Sequence, residues 1–293
     1  MRVSSQSIID TVLTNMGGNY RRLVELQRQM ASGRRVSRLS DDPAVMAQAL
    51  GYRSELEREG QYVRNIDSSL ARLGVTESSF SNVNDLLQRA REIAVYGSNA
   101  TVSPEMKNNM AAEVRQLIDQ AVQVGNTKFN EQYLFAGTAT TTVPFTLVGN
   151  PPTSVTYNGN AGLIDRQIDA NARVAVNVPG NTALGDSFTA LINLHTRLTT
   201  AGADVSLSLA DIDTAMNTVL QQRGQFGAKL DRFERTKFEK EGTQLQKRAL
   251  ISAAEDIDMA ETITKLKAQE AVYEAALMST ARVVQPSLLQ FLR

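Results

Sequence analysis

The chain has 293 residues, with 31 Lys+Arg against 31 Asp+Glu, no cysteine, no tryptophan and one histidine. Zero net charge argues against a nucleic-acid or anionic-membrane surface. The missing cysteines exclude disulfides, thiolate chemistry and Cys-based zinc sites.

The first residues, MRVSSQSIIDTVLT, hold no apolar run of the length a Sec-type signal needs. No apolar run reaches the roughly eighteen residues of a membrane span either. The expectation is a protein that stays in the cytosol or leaves by a route needing no such signal. From there Ile9, Leu13, Met16, Tyr20, Leu23 and Met30 step by four and three, with polar Gln27 in the remaining slot. That is a heptad seam. The stretch QRQMASGRRVSRLSDDPAV interrupts it with Gly33, three closely spaced arginines (Arg34, Arg35, Arg38) and then Asp42–Pro43. Gly33 supplies a flexible φ, and an aspartate N-cap before Pro at N1 starts a new helix.

The new helix carries a stripe from Leu56 through Ile66, Leu73, Phe80 and Leu87 to Ala94. Gly51, Gly60 and Gly74 weaken it by about 1 kcal/mol each relative to Ala, so a bend is expected. NATVSPE ends it and restarts the chain with Ser103 as N-cap and Pro104 at N1. From about Thr140 to Gly185 β-branched runs (TTTVPFTLV, TSVTY, RVAVNV) alternate with turn chemistry (GNPP, YNGN, VPGN). This predicts a small β module that projects outward, away from the terminal helices. Helix returns after Gly185 and, past a loop near AGADVS, runs as one long tract to the end. Its last part carries Met259, Ile263, Leu266, Tyr273, Leu277, Val284, Leu288 and Phe291 at heptad spacing, with Glu270 and Thr280 as polar members.

The fold class is therefore mainly α with a small β insertion. Antiparallel terminal coiled-coil helices flank a long helical bundle domain and an outward β module. The segments are 1–40, 41–139, 140–185, 186–248 and 249–293, nested so that the two terminal seams pair. If Ile9 faces Leu288, residue 263 falls opposite Arg34. Arg34, Arg35 and Arg38 then lie near Glu255, Asp256, Asp258 and Glu261 in the acidic stretch EDIDMAE, and the pairing sets register. Two helices alone leave most of each seam wet, so their burial barely offsets helix entropy. Order is expected where neighbouring subunits cover them.

Sites for chemistry are sparse. His195 follows Leu191 by four and Ile192 by three and reads as a packing or solvated residue, not a base or ligand. The acidic cluster at Glu255–Glu261 reads as a charge partner, since hard cations need oxygens converging from several elements. No P-loop or Ser–His–Asp arrangement is present, and no cofactor or metal is expected.

Four stretches carry a resemblance. QMASGRRVSRLSDDPAV, YGSNATVSPEMKNNMAAEVRQLIDQAVQVGNTKFN, VLQQRGQFGAKLDRFE and EDIDMAETITKLKAQEAVYEAALMSTARVVQPSLLQFLR are collinear with the helical regions of bacterial flagellins and hook-associated proteins. The chain resembles that family. Tyr133, Phe135 and Gly137 in FNEQYLFAGT, with Tyr157 and Gly159 in SVTYNGN, look like the members standing at the distal hook–filament junction. The resemblance implies a non-enzymatic structural protein of the flagellum, exported through the flagellar type III route without a cleaved Sec signal. It implies a ring-like layer of copies, the proximal junction protein and flagellin as partners, and an export chaperone on the C-terminal helix. A flagellin that forms the filament itself is the first alternative. A helical enzyme or soluble signalling module is the second.

Overall fold

The computed structural model describes the backbone from Arg2 to Phe291 and the side chains of Ser7 and of residues 9–281. The side chains of Val284, Leu288 and Phe291 lie outside the described residues. Among the described residues there are six helices and three two-stranded antiparallel sheets. The helices are α1 (Arg2–Ser32), α2 (Pro43–Gly97), α3 (Pro104–Gly125), α4 (Gly180–Thr199), α5 (Leu207–Glu255) and α6 (Met259–Phe291). The strands are β1 (Lys128–Phe129), β2 (Gln132–Tyr133), β3 (Phe145–Val148), β4 (Ser154–Tyr157), β5 (Asp165–Asp169) and β6 (Ala172–Ala175). The chain divides into two compact units, residues 1–58 with 243–293, and residues 59–242.

The inner unit, 59–242, holds the larger core. Ile66, Leu73, Phe80, Leu87 and Ala94 recur every seven residues along α2 and are all buried. The same period brings Ile212, Val219, Phe226 and Phe233 of α5 into that core. Phe80 meets Phe135 and Phe226 edge-on, at 5.7 and 5.5 Å between ring centroids. α3 packs on α4. Ser103 caps α3 by accepting from the Met106 N–H at 3.3 Å, with Pro104 at the first helical position. α2 is a single helix through Gly51, Gly60 and Gly74.

The β segment is packed into the helical core of residues 59–242. Leu134, Phe135, Phe145, Ile168, Val174 and Val176 belong to the same buried cluster as the helices. β3 lies against α3, and β4 against α4. The segment also starts earlier. β1 and β2 form a hairpin whose Asn130 and Glu131 both have positive φ, as a two-residue primed turn demands. β5 reads DRQID and escapes composition-based recognition, because only Ile168 in it is buried.

Phe135–Gly137 is fixed by Tyr157. The Tyr157 hydroxyl stands 2.9 Å from both the Phe135 and Asn160 carbonyls and accepts from the Gly180 N–H at 3.2 Å. Gly137 has φ +68°, and a Cβ there would stand 2.1 Å from the Asn160 carbonyl oxygen, so no other residue fits.

The terminal unit, 1–58 with 243–293, is built on α1 against α6. The pairing is antiparallel. Gln269 Nε2 donates to the Asn19 carbonyl at 3.2 Å, and Tyr20 lies against Tyr273 at 5.8 Å between centroids. Further along, Arg34 forms an isolated antiparallel bridge with Asp256. The seam estimate puts residue 263 opposite Arg34, so the observed register is one heptad away. The tract after α4 is also not continuous: it breaks between Glu255 and Met259.

Candidate assembly surface

The buried row of α1 consists of Ile9, Val12, Met16, Asn19, Leu23, Leu26 and Met30, each partly covered. On α6 it consists of Thr262, Leu266, Gln269, Tyr273, Ala276 and Thr280. Both rows step by three and four, so each is a coiled-coil seam. The seam expected from sequence shares Ile9, Met16, Leu23 and Met30, and Leu266 and Tyr273. It differs by one residue at every other step. Leu13 and Tyr20 stand where Val12 and Asn19 do the packing, and they are 48% and 52% exposed. Ile263 and Leu277 are likewise exposed, beside Thr262 and Ala276.

Each terminal helix thus carries two adjacent apolar rows, of which one faces its partner. The other row holds Leu13 and Val24 on α1, and Ile263, Leu277 and Met278 on α6, while Tyr20, half exposed, also lies against Tyr273 of the seam. Beside it a groove between the two helices is floored by Leu26, Ala268 and Val272 and rimmed by Arg21, Arg22 and Lys265. An apolar width beyond one seam is what a helix with more than one neighbour needs.

The interruption at residues 33–42 is held from several sides. Gly33 adopts φ +68°. Its carbonyl accepts from the Ile257 N–H at 3.1 Å, while the Arg35 N–H donates to the Glu255 carbonyl at 2.6 Å. The two chain crossings therefore form a short ladder. Val36 is buried beside them, with Met46 and Ala49. Asp42 caps α2, its Oδ1 accepting from the Ala44 and Val45 N–H groups at 3.1 Å each, with Pro43 first in the helix.

The charges there are shared out differently from the sequence-based pairing. Arg34 Nε lies 3.8 Å from Glu255 Oε2, not against Asp256, Asp258 or Glu261. Arg35 Nη2 donates to the Ala254 carbonyl at 3.0 Å. Arg38 donates its backbone N–H to Asp41 at 3.0 Å. Asp256 accepts from the Ser252 hydroxyl, Asp258 caps α6 through the Ala260 and Glu261 N–H groups, and Glu261 pairs with Lys265 at 2.8 Å.

Two residues of this region, Arg53 and Asp41, escaped sequence reasoning as contributors, whereas Glu255 was expected among the acidic partners. Glu255 is only 1% exposed and takes Arg53 of α2 on the same oxygen that faces Arg34. Asp41 accepts from Ser37, Arg38 and Arg28. The Ser37 N–H first, then the Arg38 N–H and Arg28, hold its carboxyl below the usual aspartate range. Nothing local marks Arg53, because its partner is distant in sequence. Asp41 is no easier to find, since its carboxylate reaches back to Ser37 and Arg38 instead of forward as an Asx turn does.

His195 is buried on the core face of α4. Its pKa is lowered, by burial first and then by Arg115. Among the described residues no cluster of three or more His, Cys, Asp or Glu could hold a metal ion, and no helix is long and apolar enough to cross a membrane.

Comparison with known proteins agrees with this helical frame. The family model for the bacterial flagellin N-terminal helical region matches residues 3–140, and that for the C-terminal helical region matches residues 209–292. The flagellar hook-associated protein 3 of Escherichia coli is 25% identical, covering 99% of this chain and 99% of that protein. A flagellin of Halalkalibacterium halodurans is 24% identical, covering 95% of each. The crystal structure of flagellar hook-associated protein 3 from Legionella pneumophila superposes with a TM-score of 0.62 at 15% identity, over 69% of this chain and 97% of that one. With both helical regions matched in order at its two ends, the chain belongs to the bacterial flagellin family.

Proposed function

We propose that this chain is a structural protein of the bacterial flagellum that joins the hook to the filament. The observation that carries the reading is the second apolar row on α1 and α6, which the chain itself leaves uncovered. Copies of the chain cover it when the terminal helices pack coaxially in a ring-like layer. The layer stands on the proximal junction protein and receives flagellin on its distal side. An export chaperone shields the C-terminal helix beforehand, and the chain leaves the cell through the flagellar type III route. Its role is mechanical and involves no catalysis.

The junction is favoured over the filament by the docking of Phe135–Gly137 on Tyr157, which closes a single compact β segment onto the helices. The full-length match to a hook-associated protein 3 supports the same choice. Purified chain incubated alone, and then with isolated hooks, separates the two readings. The junction reading expects short caps on hook tips and no long polymers. Long filaments grown from the chain alone would make it a flagellin.

A further inference from the structure

The break between α5 and α6 has one local contributor, the Asp258 cap that restarts α6. Residues 252–263 read SAAEDIDMAETI, with neither glycine nor proline, and with alanines on both sides of the acidic residues. Nothing else in the stretch forbids a continuous helix. Helical bonding persists up to the Asp256 N–H, which donates to the Ser252 carbonyl at 2.8 Å. It resumes where the Thr262 N–H donates to the Asp258 carbonyl at 2.9 Å. Between these, the donors and acceptors a helix would use internally go to the first crossing instead. Ile257 N–H goes to Gly33, and the Glu255 carbonyl takes the Arg35 N–H at 2.6 Å and the Val36 N–H at 3.4 Å. The Ala254 carbonyl takes the Arg35 guanidinium. The Glu255 side chain is buried against Arg53 and Arg34 by the same docking.

We infer that residues 254–258 are a two-state element, broken when residues 33–36 dock on them and continuous helix from α5 into α6 when they do not. Every bond that holds the break is supplied by residues 33–36 or by Arg53, apart from the Asp258 cap that restarts α6. Docking therefore orders both crossings in one step and sets α6 going in register with α1. The broken form presents α1 and α6 as a pair with their second rows outward. The continuous form lacks that pair. The role in assembly rests on the function proposed above; the switch itself rests on the hydrogen bonds.

The test is read on the isolated full-length chain, so its failure leaves the junction reading standing, and the converse holds. Backbone Cα chemical shifts of Asp256, Ile257 and Asp258 report helix or extended backbone directly. In the wild-type chain they lie outside the helical range. In Val36→Asp, which drives a charge into the buried docking position, they move to the helical values of residues 245–252 in the same spectrum. Should Val36→Asp unfold α5 and α6 altogether, Gly33→Val decides. At φ +68° a β-branched residue is strained, so the substitution weakens docking, leaves residues 254–258 unchanged in sequence, and shifts Asp256 and Ile257 part of the way toward helical values. Unchanged or coil-like shifts at 256–258 with α5 still helical, or no movement in Gly33→Val, overturn the inference.

Discussion

Glu255 and Arg53 show how a charge can be decisive where exposed charges are not. Glu255 is nearly inaccessible and its other nearby cation, Arg34, stands at 3.8 Å. Removing Arg53 leaves a buried carboxylate poorly compensated, and the loss of one partner of a buried pair costs about 3–5 kcal/mol. Arg53 is itself about one-third exposed, so solvent screening reduces the cost to roughly 1–3 kcal/mol. Arg53→Met should therefore lower the opening free energy of the Ile257 amide by that amount in native-state hydrogen exchange, and adding Glu255→Gln should restore part of it. Exchange at Ile257 unchanged by Arg53→Met would show that the ladder stands without the ion pair. His195 offers a pH test. Its folded pKa is depressed, first by burial and then by Arg115, so the folded state binds the proton more weakly than the unfolded state. The stabilising contribution is complete above the unfolded value of about 6.5 and is lost as pH falls below it. Because the chain has a single histidine, its imidazole resonance is unambiguous. It should titrate with a midpoint below 6.5, and a midpoint above that value would contradict the burial argument.

The helices show which parts of the fold are legible in sequence. The heptad period at both termini, the Asp42–Pro43 restart and the Ser103–Pro104 restart all follow from local chemistry. The choice between two neighbouring rows does not, since Val12 and Leu13, or Leu26 and its surroundings, are equally able to pack. Tertiary contact decides it, and the seam shifts by one residue. The break at 256–258 is illegible for the same reason: distant donors cause it. The β segment misled in the opposite way, because its composition differs from that of the helices while its apolar side chains share their core. Two expectations follow. Leu13→Asp with Leu277→Asp should leave thermal unfolding of the isolated chain within about 0.5 kcal/mol, as for surface substitutions, and abolish its attachment to hooks. Leu26→Asp should instead weaken the α1–α6 pair in the isolated chain, read as faster amide exchange along both helices. Equal behaviour of the two variants would erase the distinction between rows. Replacing residues 140–178 by a Gly/Ser linker should melt the inner unit, because it strips Phe145, Ile168, Val174 and Val176 from the core. A cooperative unfolding transition retained at the wild-type temperature would show the β segment to be dispensable.

At the scale of the whole molecule, two units with separate cores serve separate needs. Residues 59–242 bury a continuous aromatic and aliphatic core and fold on that account. Residues 1–58 and 243–293 bury one seam together with Val36, Met46 and Ala49, and hold a second row in reserve. On the function proposed above, that division keeps stability internal and leaves the second row for contact among copies. The most direct measurement is electron microscopy of cells in which the gene for this chain is deleted and replaced by either the wild-type form or Leu13→Asp/Leu277→Asp. Cells with the deletion or the variant should carry complete hooks without filaments and shed flagellin into the medium, while the wild-type form restores filaments. Filaments still anchored to hooks in cells carrying the variant would contradict the claim that the second row joins hook to filament.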